Sequence, residues 1–241
     1  MEKILVVAAH PDDELLGCGG TIIEHIKKKD KVGILIVSEG ITSRDEKRNV
    51  QKRKKEIENL FSTSKKIGKK IGVNFIELLG LPDNRLDGMN LLDIIKKIEK
   101  VIIKFKPNVI YTHHNGDLNI DHSLVNRAVL TATRPTPNQI VRKIYSFEIL
   151  SSTNWSVSSK HTAFIPNYFN DISSSLRSKI KYLKMYKDEL RKWPHARSIK
   201  SIESLAYFRG SSVGIKAAEA FQLLREIKKK YLNLNEYCNK G

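Results

Sequence analysis

Cysteine is nearly missing from this chain. Only Cys18 and Cys238 carry a thiol among 241 residues, too few for a disulfide framework or a four-cysteine zinc site, so both are expected to be free. Long apolar runs are missing as well. Stretches such as Ile4 to Ala9 fall far short of the roughly 20 residues that cross a bilayer, and the charged pair Glu2 and Lys3 leaves no signal-peptide pattern. The expectation is a soluble, cytoplasmic protein without a transmembrane segment. No Gly/Ser or Pro linker, internal repeat or low-complexity tract divides the chain. Residues 1–241 are therefore expected to be one domain, with a core over 1–150 and a lid or helical extension over 151–241.

Negative charge is the third scarcity. Lys plus Arg number 43 against 26 Asp plus Glu, a net +17 that attracts phosphates, nucleic acids or acidic glycans at long range. Most lysines fall in blocks, Lys27 to Lys29, Lys52 to Lys55, Lys65 to Lys70 and Lys228 to Lys230, spaced as solvated helix faces would be. No aromatic platform or helix-turn-helix signature accompanies them, which argues against a nucleic-acid site. What the chain does have is 40% hydrophobic residues, enough to bury a core without staples.

Those apolar residues alternate between two textures. β-Branched runs at Lys3 to Ala9, Lys31 to Val37, Val73 to Leu79, Asn108 to Thr112 and Lys143 to Leu150 predict strands. Helical spacing between them predicts helices over Glu14 to Lys29, about Arg44 to Ile67, Leu91 to Lys104 and His122 to Thr133. This alternation yields an α/β, Rossmann-like parallel sheet of order 3-2-1-4-5 with helices on both faces. After a Ser-, Asn- and aromatic-rich stretch, helix-period segments over Ser174 to Lys192 and Ser198 to Lys229 predict a C-terminal helical extension.

In that strand order the first and fourth strands are neighbours whose chains leave toward opposite faces, opening a crevice at their carboxyl ends. The first strand runs into His10-Pro11-Asp12-Asp13-Glu14, and the fourth into His113-His114-Asn115-Gly116-Asp117-Leu118-Asn119-Ile120-Asp121-His122. The two densest sets of metal-ligating residue types are thus expected to meet. Hydrolytic zinc sites use three protein ligands and leave a position for water. His10 and Asp13, three apart across a strand-to-helix turn, can share one centre while Asp12 stays free to handle a proton. His122 is the best-placed third ligand, with Asp121 available to orient a ligand ring. The competing reading makes His-Pro-Asp-Asp an N-capping turn, a role that does not call for His10. Gly17-Cys18-Gly19-Gly20 lacks the register of a dinucleotide-binding turn and suits close helix packing.

Ala9-His10-Pro11-Asp12-Asp13-Glu14 after an N-terminal strand, with an Asp-His pair about a hundred residues on, resembles the PIG-L/LmbE-type zinc-dependent N-deacetylases. Leu79 to Asp87, and Arg209-Gly210 followed by Ala218-Glu219-Ala220-Phe221, resemble one bacterial subgroup. The resemblance implies a Rossmann-like fold, Zn²⁺ on His10, Asp13 and His122, and Asp12 as general base. The implied substrate is an N-acetylglucosamine-type amino sugar, free or linked to a nucleotide or lipid, deacetylated to acetate and a free amine. Many members place a histidine three residues before the last ligand; here that position is Asn119. His195, in Trp193-Pro194-His195-Ala196-Arg197-Ser198, resembles a subgroup segment and is the first substitute, ahead of His114 and His113. Asp83, Arg85 and Arg53 are candidate sugar contacts, and Arg197 and Arg209 candidate phosphate contacts. A metal-dependent phosphoesterase and a non-catalytic nucleotide- or nucleic-acid-binding module are the alternative readings, and self-association is left open.

Overall fold

The computed structural model describes residues 1–157 and 159–228; Cys238 lies outside the described residues. Five strands, β1 (Lys3–Ala8), β2 (Lys31–Ser38), β3 (Phe75–Leu81), β4 (Val109–His113) and β5 (Lys143–Phe147), pair in parallel in the order 3-2-1-4-5. Each residue of β1 after Lys3 is buried, because alternate side chains feed two cores. Ile4 and Val6 join one cluster, Leu5 and Val7 the other. A strand covered on both faces reads as an uninterrupted apolar run.

The first core is closed by α1 (Asp13–Lys27), α2 (Lys54–Ile71), α5 (Leu176–Leu183) and α6 (Ile199–Ser211), and the second by α3 (Leu91–Phe105) and α4 (Ile120–Ala132). α3 shows the logic plainly: Ile94, Ile98, Val101 and Ile102 recur at helical spacing and are all buried.

Three expectations need correction. The helix expected from Arg44 begins at Lys54. Residues 45 and 46 instead form a loop whose carbonyls accept from Arg85, while the Asp45 side chain pairs with Arg53. The segment expected as a helix from Ser174 to Lys192 is helical only through Leu183. The helix expected from Ser198 to Lys229 stops at Ser211, and Ala218–Glu226 is a strand, β7. Gly210 permits that reversal: a Cβ there would lie 2.6 Å from the Ile215 carbonyl oxygen. β7 runs antiparallel to both β5 and β6 (Tyr168–Asp171), so among the described residues the extension adds two strands and two helices and extends the sheet to 3-2-1-4-5-7-6.

α1 is broken in the middle. Cys18 has φ −147° and ψ 25° inside it, and the surrounding glycines allow close packing, since a Cβ on Gly17 would lie 2.3 Å from the Phe147 ring. The break exposes backbone groups that the chain satisfies from afar. Glu219 of β7 accepts from the N–H groups of Gly20 (2.9 Å) and Thr21 (2.7 Å). Lys179 of α5 donates to the Leu16 carbonyl (2.8 Å) and to Glu219 (2.7 Å). The Ala218-Glu219-Ala220-Phe221 motif therefore caps the second half of α1.

Candidate metal centre

The turn after β1 and the start of α4 do meet. His10 Nδ1 lies 3.2 Å from Asp13 Oδ2 and 3.3 Å from His122 Nε2, and His122 Nε2 lies 3.2 Å from Asp13 Oδ2. Such a triangle is one face of a tetrahedron whose centre is about 2.0 Å from each corner, the length of a zinc–nitrogen or zinc–oxygen bond. All three side chains are buried, and among the described residues Asp13 Oδ1 has no hydrogen-bond partner. Two imidazole nitrogens aimed at each other over a partly unpartnered carboxylate is a donor set that a divalent cation would satisfy.

The outer nitrogens of both rings are held by carboxylates. His10 Nε2 lies 3.1 Å from Asp121 Oδ2 and 3.2 Å from Asp83 Oδ1, and His122 Nδ1 lies 3.1 Å from Asp117 Oδ2. Such partners fix ring orientation and raise ligand basicity. Asp121 in turn accepts from the N–H groups of Asn84 (2.8 Å) and Leu86 (3.1 Å), and Asp83 from that of Ser43 (3.0 Å). Asp117 accepts from Ser152 and Thr153. These carboxylates are thus held by donors of their own.

The electrostatics follow from burial opposed by pairing. Burial pushes the His122 imidazole down, but the Asp13 charge and the bond to Asp117 outweigh it and raise the pKa to about 9. His10 is likewise raised: burial opposes its charge, and hydrogen bonds to Asp121, Asp13 and Asp83 overcome it. Burial works against ionised Asp117, yet the bond to His122 holds it at about 2. Asp13 too lies below the carboxylate range, burial being overcome chiefly by His122. Asp12 behaves oppositely. Burial pushes its carboxyl well above the usual range, with the neighbouring Arg197 charge only partly offsetting it.

Asp12 occupies the N-cap position of α1 at φ 111° but makes no capping bond with its side chain, so the capping reading does not describe it. A non-glycine residue in this region is strained. Its backbone N–H donates to Glu14 Oε2 (3.0 Å), and Glu14 Oε1 accepts from Tyr186 (2.7 Å). Burial, opposed by the bond from Tyr186, leaves Glu14 with a pKa of about 7. Asp12 Oδ2 accepts from Arg197 Nη1 at 2.9 Å, and Arg197 Nε donates to Ser151 (2.7 Å).

The other expected residues sit as follows. His195 touches Arg197 rather than the triangle: its Nδ1 accepts the Arg197 backbone N–H at 3.0 Å. Asn119 caps α4 by accepting from the Asp121 N–H and donates to Asn84. His113 Nε2 accepts the Ala9 N–H at 2.8 Å, tying the ends of β1 and β4 together, and its ring stacks on His122 at 3.9 Å. His114 meets the Thr162 carbonyl. Arg53 pairs with Asp45 and Glu56, Arg85 with the carbonyls of residues 45 and 46, and Arg209 with Glu148. Sequence reasoning missed Asp117 and the contact between Arg197 and Asp12. The available signal was slight: Asp117 lies in the loop that delivers His122, but nothing in its spacing separates it from Asp121.

Comparisons with known proteins bear on the family and the fold. Residues 5–133, more than half of the chain, match the family described as PIG-L: GlcNAc-PI de-N-acetylase. An uncharacterized deacetylase, YaiS, of Escherichia coli is 28% identical over 139 residues, 56% of this chain and 69% of that protein. An N,N'-diacetylchitobiose deacetylase of Pyrococcus horikoshii superposes with a TM-score of 0.74 at 18% identity, over 93% of this chain and 84% of that one. The 4-carboxy-2-hydroxymuconate hydratase GalB of Pseudomonas putida superposes with a TM-score of 0.72 at 20% identity, over 96% and 100%. The shared fold thus hosts more than one reaction. With the family match covering the turn after β1 and the start of α4, the chain belongs to the PIG-L family of de-N-acetylases.

Proposed function

We propose that this protein is a zinc-dependent hydrolase that removes the N-acetyl group from an amino sugar, releasing acetate. One observation carries the reading: His10, Asp13 and His122 offer three donor atoms at 3.2 to 3.3 Å from one another, with Asp12 next to Asp13 in the chain, under the influence of its charge and outside the set. Zinc on those three residues supplies Lewis acidity toward water and the acyl carbonyl. Asp12 accepts a proton from water as its oxygen attacks the acetamide carbon. Burial, which raises this carboxyl, makes it a better base for that step. When the C–N bond breaks, Asp12 returns the proton to the departing sugar nitrogen. Arg197 holds the other end of the exchange by donating to Asp12 Oδ2, and His195 acts through the backbone of Arg197.

In this reading Asp121 and Asp83 orient His10, and Asp117 orients His122. That gives Asp83 a place beside the metal ligand rather than on a sugar hydroxyl. Metal analysis of the purified protein, joined to acetate assays on a panel of N-acetylated amino sugars, tests it. Asp12→Asn is expected to keep its zinc and lose turnover by orders of magnitude, whereas His122→Ala loses the metal. Full turnover by Asp12→Asn, or hydratase or phosphatase activity without acetate release, would overturn the proposal.

A further inference from the structure

The mouth of the site is bordered by exposed apolar side chains. Trp155 is 51% exposed and Val157 85%, directly after the turn whose Ser152 and Thr153 hold Asp117. Trp193 is 58% exposed and opens the turn that delivers His195 and Arg197. The two loops touch, the Trp155 and His195 rings meeting edge to face at 5.5 Å. Ile165 is exposed further along the loop that carries Trp155 and Val157, and the Thr162 carbonyl and Phe164 ring before it pack on His114. Leu118, between Asp117 and Asn119, is also exposed. Large apolar side chains left exposed on loops that touch mark an interaction site.

The charge of the same loops indicates what covers them. Residues 153–165 and 190–200 contain five cations, Lys160, Arg191, Lys192, Arg197 and Lys200, and no aspartate or glutamate. Arg197 is committed to Asp12, but Lys160, Lys192 and Lys200 are exposed, and the Lys200 ammonium lies 4.5 Å over the Trp193 ring. Indoles with ammonium groups beside them suit a boundary where rings meet acyl chains and cations meet phosphate. A nucleic acid would use the cations and leave Val157 and Ile165 in water. A second copy docked rim to rim about a two-fold axis would bring these cations face to face.

We propose that this rim docks on the surface of an anionic lipid bilayer, with Trp155, Val157 and Trp193 at the headgroup boundary and Lys160, Lys192 and Lys200 on lipid phosphates. The chain has two tryptophans, and both lie in the rim, so intrinsic fluorescence reports it directly. The full chain is titrated with phosphatidylcholine vesicles, with and without phosphatidylglycerol, at low and high NaCl. The expected result is a blue shift and co-sedimentation with the anionic vesicles alone, weakened about tenfold or more by salt. Val157→Asp/Trp193→Ala is expected to lower partitioning at least about tenfold while acetate release from a water-soluble substrate stays within about twofold. Lys160→Glu/Lys200→Glu, confined to exposed positions, must weaken partitioning as well. Absence of a shift, equal binding to neutral vesicles, or full binding by a folded variant overturns the proposal. So does sedimentation velocity showing a dimer that buries the tryptophans without lipid.

Discussion

Replacing Glu219 with glutamine tests whether the break in α1 is held from outside the helix. The Glu219 carboxylate accepts from the Gly20 and Thr21 N–H groups and from Lys179 Nζ, all within 2.9 Å, and the Lys179 and Glu219 side chains are 5% and 4% exposed. The amide keeps the shape but removes the charge, leaving Lys179 a buried cation without its counter-ion. Its NH₂ end also faces a backbone N–H. Breaking one side of a buried pair costs about 3–5 kcal/mol, and an orphaned buried N–H about 1–3 kcal/mol. Because the two penalties share one site they do not add, and a loss of about 4 kcal/mol is expected. Lys179→Met leaves the carboxylate its two N–H donors and is expected to cost less, about 2 kcal/mol. The double variant then falls well short of the sum, with a coupling of about 2 kcal/mol. Urea unfolding followed by circular dichroism measures all four proteins. A Glu219→Gln protein within about 1 kcal/mol of the parent, or simple additivity, would mean that the break in α1 holds without this pair.

Asp117→Asn withdraws the carboxylate beside His122 Nδ1, and under the proposed function zinc affinity measured by chelator competition is expected to fall about 10–100-fold. Asp83→Asn acts through His10 and is expected to weaken metal binding in the same assay, whereas Arg53→Ala, whose guanidinium is consumed by Asp45 and Glu56, should leave KM within about twofold. A raised KM in Arg53→Ala with unchanged metal affinity would restore it as a sugar contact. Burial, with the Glu219 charge, pushes the Cys18 thiol well up, so Cys18 is expected to resist alkylation in the native state and react only on unfolding. Mass spectrometry of the peptide carrying Cys18 after native labelling checks this.

The convergence of His10, Asp13 and His122 was legible in the sequence because each half of the cluster sits on a locally determined turn. His10 and Asp13 are placed by the passage from β1 to α1, and His122 by the start of α4. The parallel strand order then brings the two turns together. Asp121 was legible as a partner of a ligand ring, though which ring depends on how α4 lies against the loop of Asp83 and Asn84. Asp117 was not legible, because its contact with His122 requires the distant Ser152 and Thr153 to turn its carboxylate inward. β7 was missed for a related reason. Its apolar residues carry too little periodicity to choose between helix and strand, and pairing with β5 and β6 decides it.

By itself the amino-acid order determined the alternation of strands and helices through β5, the crevice between β1 and β4, and the meeting of His10, Asp13 and His122 there, since these follow from short-range patterning and chain direction. Tertiary structure alone decided that Arg197 rests on Asp12, that Asp83 faces His10, and that Glu219 and Lys179 cap the broken α1. Each of these contacts joins residues far apart in the chain, and such pairings depend on packing rather than on any local preference of the backbone.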